Sequence, residues 1–184
     1  MSFSIIKPAI ALFLFTTVSA VIIGFMYVIT EEPIAEQVIR REREAIESLI
    51  PLSYTSHSEL LEVPGSTVWR MDSSYDENGE HLGYVFFARS PGYSGLVHML
   101  VGIDMFGDIL GVRVISHTET PGLGSVIAGA AFTNQFIGLR GPVEAARNPQ
   151  GAHQVDVMTG ATISLNAVLR AVNDAWEIFE GGGI

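Results

Sequence analysis

The stretch Gly83–Ser116, GYVFFARSPGYSGLVHMLVGIDMFGDILGVRVIS, decides the fold. It contains three apolar runs, Gly83 to Arg89, Leu96 to Ile103 and Ile109 to Ser116, separated by Gly, Pro and Asp. Short apolar runs bounded by turn residues read as strands. The link between the last two, DMFGD at Asp104–Asp108, predicts a hairpin in which Gly107 supplies the positive φ. A shorter run, Val68 to Met71, adds a strand upstream.

Beyond Ser116 the period changes. Ser125 is placed to cap a short helix over Val126 to Phe136, a Gly/Pro-rich loop covers Gly138 to Gly151, and a last helix runs from about Ile163 to Phe179. In that helix Leu165, Val168, Leu169, Val172, Ala175, Trp176 and Phe179 fall on one apolar stripe, which predicts a core-facing side. Strands grouped together with helices at the ends predict an α+β domain, an antiparallel sheet flanked by helices.

Upstream, Pro8 to Thr30 runs 23 residues without a charge. At about 1.5 Å per residue that suffices to cross a bilayer core of about 30 Å. The rival reading is a secretory signal peptide cut after Val18-Ser19-Ala20, but the apolar run continues past Ala20 to Ile29, longer than a signal core needs. Glu31 to Leu49 follows with helical spacing of Ile34, Val38, Ala45 or Ile46, and Leu49, and Pro51 ends it. The expected organisation is a membrane segment over 1–30, a juxtamembrane amphipathic helix over 31–51 packed on its own domain, and one folded domain over 52–184. Lys7 precedes the span and Arg40, Arg41 and Arg43 follow it, so charge alone leaves the orientation open.

Composition removes several functions. The net charge is −10 with a single lysine, which argues against nucleic acid as a partner. There is no cysteine, so disulfides, iron–sulfur clusters and thiolate zinc sites are excluded, and any redox role needs a bound organic cofactor. His57, His81, His98, His117 and His153 show no metal-ligand spacing, and no nucleophile motif is present.

The chemistry-bearing stretch is DVMTGATIS, Asp156 to Ser164, at the start of the last helix. One reading makes Thr159 the N-cap, Gly160 a turn residue and Thr162 a first-turn hydroxyl bonded to its own backbone. The other makes the helix end, with its free N–H groups and positive dipole, a seat for a phosphate that Gly160 and Ala161 leave room to approach. Asp156 disfavours a dianion there but repels a singly charged phosphodiester less.

DVMTGATIS resembles the flavinylation motif of the flavin-carrying G subunit in Rnf electron-transport complexes and of the related C subunit in sodium-pumping NADH:quinone reductases. The resemblance implies FMN attached through its phosphate to the hydroxyl of Thr162 by a flavin transferase that uses FAD as donor. SHTETPGLGSVI, Ser116 to Ile127, looks like the second signature of these families, a loop that approaches the flavin ring. GYSGLVHMLVGID, Gly92 to Asp104, is similar to the Rnf protein in particular, whereas Leu165 departs from the hydroxyl residue that many relatives carry. The implied cofactor-binding set is Thr162, Asp156, Thr159, Gly160, Ala161, Ser164, Glu119, Thr120, Leu123 and Gly124. Within it Glu119 and Thr120 are expected to face the ring or ribityl chain, Leu123 to pack on the ring, Asp156 to serve recognition by the transferase and Ser164 to support the turn.

The resemblance further implies a single FMN-binding domain behind one transmembrane helix, on the extracytoplasmic side of the cell membrane. Its partners would be the bilayer and the other subunits of an ion-translocating ferredoxin:NAD oxidoreductase, within which it carries electrons without independent catalysis. Two alternatives stand beside it: the C-type protein of the quinone reductase, and a flavin-free anchored assembly protein in which TGAT is a plain helix start.

Overall fold

The computed structural model describes residues 3–157 and 159–181. The chain divides into two units, residues 1–41 and 42–184. Helix α1, Phe3–Leu49, covers both the uncharged run and the stretch read as a separate juxtamembrane helix. From Ile6 onward it is long and apolar enough to cross a bilayer, and Phe13, Phe15, Ile23 and Val28 are among its exposed side chains. The Thr16, Thr17 and Thr30 hydroxyls donate to carbonyls one turn back, Thr17 to Phe13 at 2.8 Å and Thr30 to Met26 at 2.6 Å. Their polar groups are thereby satisfied within the helix, as an apolar surrounding requires.

The second unit is built on a five-stranded antiparallel meander, β1 (Thr55–Leu60), β2 (Val68–Tyr75), β3 (His81–Pro91), β4 (Leu96–Asp104) and β5 (Ile109–Ser116), in sequential order. The three strands read from Gly83–Ser116 are all present. β2 runs on past Met71 to Tyr75, and β1 was not foreseen, because all six of its residues are exposed and carry no alternation. Gly107, at φ 89°, closes the predicted hairpin, and Asp104 Oδ1 accepts the Phe106 and Asp108 N–H groups at 2.8 Å each.

β3 is apolar on both faces because both faces are covered. Phe86 and Ala88 point into one cluster with Met71, Val101 and Val112, beneath helix α3 (Thr162–Glu180). Val85, Phe87 and Leu100 point the other way, onto Ala45, Leu49 and Ile50. Leu49 sits over Gly102 and Gly111, which are register partners in β4 and β5; a Cβ on Gly111 would lie 3.0 Å from Leu49 Cδ2. Two strand glycines side by side thus form the trough that receives the end of α1.

The segment expected as one helix over Val126 to Phe136 is instead three short pieces. They are a 3-10 turn at Gly124–Ala128, helix α2 at Ala130–Thr133 and a second 3-10 turn at Asn134–Phe136. Gly129 is extended (φ −76°, ψ 143°) and breaks the run, and Ser125 Oγ accepts the Gly122 N–H at 2.9 Å in place of capping a helix. The Gly/Pro-rich loop then yields a small parallel pair, β6 (Glu144–Ala146) and β7 (Gln154–Asp156). Asn173 of α3 holds Val143 ahead of β6 through both backbone groups, accepting its N–H at 2.7 Å and donating to its carbonyl at 3.0 Å.

α3 buries Leu165, Val168, Leu169, Val172 and Ala175, the stripe read from its spacing, while Trp176 and Phe179 pack at its margin. The domain is α+β as expected.

Candidate functional site

β7 ends at Asp156 and the chain enters α3 through Thr159, Gly160 and Ala161. Gly160 has φ +84°, and a Cβ there would stand 2.8 Å from Leu123 Cδ1. Glycine is therefore required twice, once for the left-handed backbone and once for the approach of the Leu123 loop. Thr159, Gly160 and Thr162 are exposed, and Ala161 is buried. The backbone N–H of Asp156 donates to Gln135 Oε1 at 2.7 Å, which fixes the strand end that leads into the turn. Met158 lies outside the described residues.

The expected cap does not form. Ala161 occupies the N-cap position with φ −121° and ψ 26°, and no side chain among the described residues caps the helix end. Thr159 lies two residues ahead of that N-cap, with Gly160 in the left-handed region between them. The amides that open an α-helix lack intrahelical partners, and with the dipole they make this end attractive to an anion.

The second signature lies directly against the first. Thr120 is exposed, and its carbonyl accepts the Leu123 and Ser125 N–H groups at 3.2 Å each, so that Pro121–Gly124 forms a tight turn. Leu123 remains exposed above Gly160. Glu119, expected to face the ring or ribityl chain, instead has its carboxylate turned inward. It is 4% exposed, its Oε2 accepts the Ser164 hydroxyl at 2.5 Å and its Oε1 accepts the Ser94 N–H at 3.1 Å. Burial opposes ionisation of this carboxyl. The Ser164 hydroxyl, the Ser94 and Tyr93 N–H groups and the nearby His117 outweigh that cost and hold it below its ordinary value. Gly124 is packed on the same bond, with a Cβ there falling 2.5 Å from Glu119 Oε2 and 2.9 Å from Ser164 Oγ.

The structure thus gathers Gly160, Thr162, Ser164, Glu119, Leu123 and Gly124 at one end of α3. Sequence reasoning missed Ser94 and Gln135, whose contacts span 25 and 21 residues and carry no local signal. A cleft of about 480 Å³ lined by Val63, Ser66, Asp174, Glu177 and Ile178 lies at the opposite end of α3 and holds none of these groups.

Residues 92–177 match the FMN-binding domain family and residues 1–49 match the RnfG N-terminal region. A relative from Pseudomonas aeruginosa, the G subunit of an ion-translocating oxidoreductase complex, is 35% identical over 96% of this chain and 89% of its own length. The chain belongs to the RnfG family of ion-translocating oxidoreductase complexes. An RnfG relative from Methanosarcina acetivorans is 30% identical over 93% of this chain and 92% of its own length. Another, from Clostridium ljungdahlii, is named as the G subunit of a proton-translocating ferredoxin:NAD(+) oxidoreductase complex and is 27% identical over 90% of this chain and 88% of its own.

The fold of this RnfG-family chain is shared with the C subunit of the sodium-translocating NADH-quinone reductase from Parabacteroides distasonis. That comparison has a TM-score of 0.59 and 18% identity, and covers 79% of this chain and 92% of the other. The NqrC structure from Shewanella oneidensis gives a TM-score of 0.52 at 20% identity, over 70% and 67% of the two chains. Between the two family readings of the sequence, RnfG and NqrC, the relatives decide for the first.

Proposed function

We propose that this chain is a membrane-anchored flavoprotein electron carrier of an ion-translocating ferredoxin:NAD oxidoreductase, with FMN joined by a phosphoester to Thr162. The observation that carries the reading is an exposed threonine as the first residue of a helix whose N-terminus no side chain among the described residues caps, two residues after a glycine on which the exposed Leu123 packs. The residues present fit the group. α3 offers unpaired amides and a positive end to a phosphate, Thr162 offers the oxygen that would carry it, and Leu123 offers an apolar surface next to Gly160.

Attachment would draw on the Thr162 hydroxyl oxygen as the acceptor of an FMN phosphoryl group from FAD, with AMP as the leaving group and the threonine proton released to the flavin transferase, a transfer in which nothing would be oxidised or reduced. When bound, FMN supplies the reversible uptake of electrons that this cysteine-free chain lacks. The ester lies at the far end of the cofactor from its ring, so Thr162 retains the flavin without setting its potential. The exposed Thr120 and Leu123 turn is the element placed to do the tuning. α1 keeps the carrier at the bilayer, with the folded unit on the extracytoplasmic side, within reach of the other subunits of the complex. Asp156, exposed at the end of β7, is left to recognition by the transferase.

Intact mass after co-expression of the full chain with a flavin transferase tests the reading. Wild type is expected to gain the mass of one FMN and Thr162→Val to gain none. A wild-type chain without the increment would overturn the covalent attachment at Thr162.

A further inference from the structure

We propose that Glu119 is a positioning residue: through Ser164 it locks the first turn of α3 onto the two loops that border it, and so presents Thr162 outward in one orientation. The inference rests on the attachment reading of Thr162. Two segments distant in sequence end on this one carboxylate. The Ser164 hydroxyl, 45 residues downstream, donates to Oε2 at 2.5 Å, and the Ser94 N–H, 25 residues upstream in the β3–β4 turn, donates to Oε1 at 3.1 Å. Gly92 and Gly124 lie against the same carboxylate from separate segments of the chain, and a Cβ on either would fall on it. The group is 4% exposed by that packing, and its two oxygens are spent on the chain itself. A side chain so enclosed acts on a cofactor only through what it holds.

The geometry of the helix says what that is. Successive side chains are about 100° apart, so Thr162 and Ser164 project about 200° apart, on opposite faces. Ser164 is accordingly buried and Thr162 exposed. Fixing Ser164 from the inside fixes the rotation of the first turn about its axis, and with it the face from which Thr162 projects. No side chain among the described residues caps the turn, so besides the burial of Ala161 and Leu165 and the bond between their backbones it is the Ser164–Glu119 bond that opposes its fraying. Group transfer to an oxygen held in one orientation is favoured over transfer to one that samples many.

The test uses the full chain co-expressed with a flavin transferase, with two readouts. One is the fraction of chains carrying FMN by intact mass; the other is hydrogen exchange at the Leu165 amide, which donates to the Ala161 carbonyl at 2.8 Å. Glu119→Ala and Ser164→Ala are expected to lower occupancy and speed Leu165 exchange, each roughly tenfold, with β3 and β4 amides as protected as in wild type. Glu119→Gln, which keeps the shape and can bond both partners, is expected to recover most of the occupancy. If Glu119→Ala does not fold, Ser164→Ala carries the same test.

Wild-type Leu165 exchange in these folded variants overturns the proposal. So does a loss of occupancy without faster exchange, because Glu119 would then act on the transferase or the flavin and not on the turn. A wild-type chain that takes no FMN defeats the attachment reading instead, and Leu165 exchange still decides the positioning role.

Discussion

Two residues at the start of α3 set how the site responds to change. Gly160 holds φ +84° with Leu123 packed against it. Alanine there meets a left-handed backbone that costs an L-residue about 1–2 kcal/mol, besides the contact with Leu123. Gly160→Ala is expected to lower the unfolding free energy, measured in urea, by that amount and to reduce FMN occupancy, since the Leu123 loop has to move. Glu119 sets an acid limit. Its folded pKa is depressed below the 4.5 of an ordinary glutamate, so its contribution is complete above that value and is lost as pH falls through the folded pKa. Denaturant midpoints measured from roughly pH 7 down to pH 3 should therefore fall more steeply for wild type below about pH 4.5 than for Glu119→Gln, and run parallel above it. The sequence made Glu119 visible by its place in the second signature but held no sign of its direction. A glutamate in a Gly/Pro turn is exposed by default, and only the enclosing Gly92, Gly124 and Ser164 turn it inward.

At the scale of elements, the end of α1 and the paired glycines of β4 and β5 form one joint. Leu49 is 4% exposed over Gly102 and Gly111. Leu49→Ala should cost about 2–5 kcal/mol as a core truncation. Gly111→Ala should cost about 1–3 kcal/mol by overpacking. The double variant is expected to be destabilised by less than the sum, because removal of the leucine makes room for the new methyl. Equilibrium unfolding of the four proteins gives the coupling directly, and strict additivity would mean that the two groups do not meet in solution. Elements with a bounded apolar run or a helical period, β3, β4, β5 and α3, were legible from the sequence. Those ruled by a single residue were not: Gly129 splits the expected helix over Val126 to Phe136, and β1 pairs with β2 without any apolar face to announce it.

On the scale of the whole molecule, both apolar clusters lie within residues 42–184. A chain beginning at Glu42 is expected to fold with an unfolding free energy within about 0.5 kcal/mol of the full protein, because no group of either cluster is lost. One beginning at Pro51 loses Ala45, Leu49 and Ile50 and uncovers Val85, Phe87 and Leu100. Its unfolding midpoint should fall sharply, and a truncated chain as stable as the longer one would show that the helix end contributes nothing to the core.

What the sequence determined by itself was what a short window contains: the uncharged run of α1, the strand and helix periods, and the two signatures with Thr162 at a helix start. Tertiary structure alone decided which of these groups meet. Glu119 reaches Ser164 across 45 residues, and Leu49 reaches a trough made by two glycines on different strands. Such meetings depend on strand register, on turn direction and on the space a missing Cβ leaves, and none of these is a property of neighbouring residues.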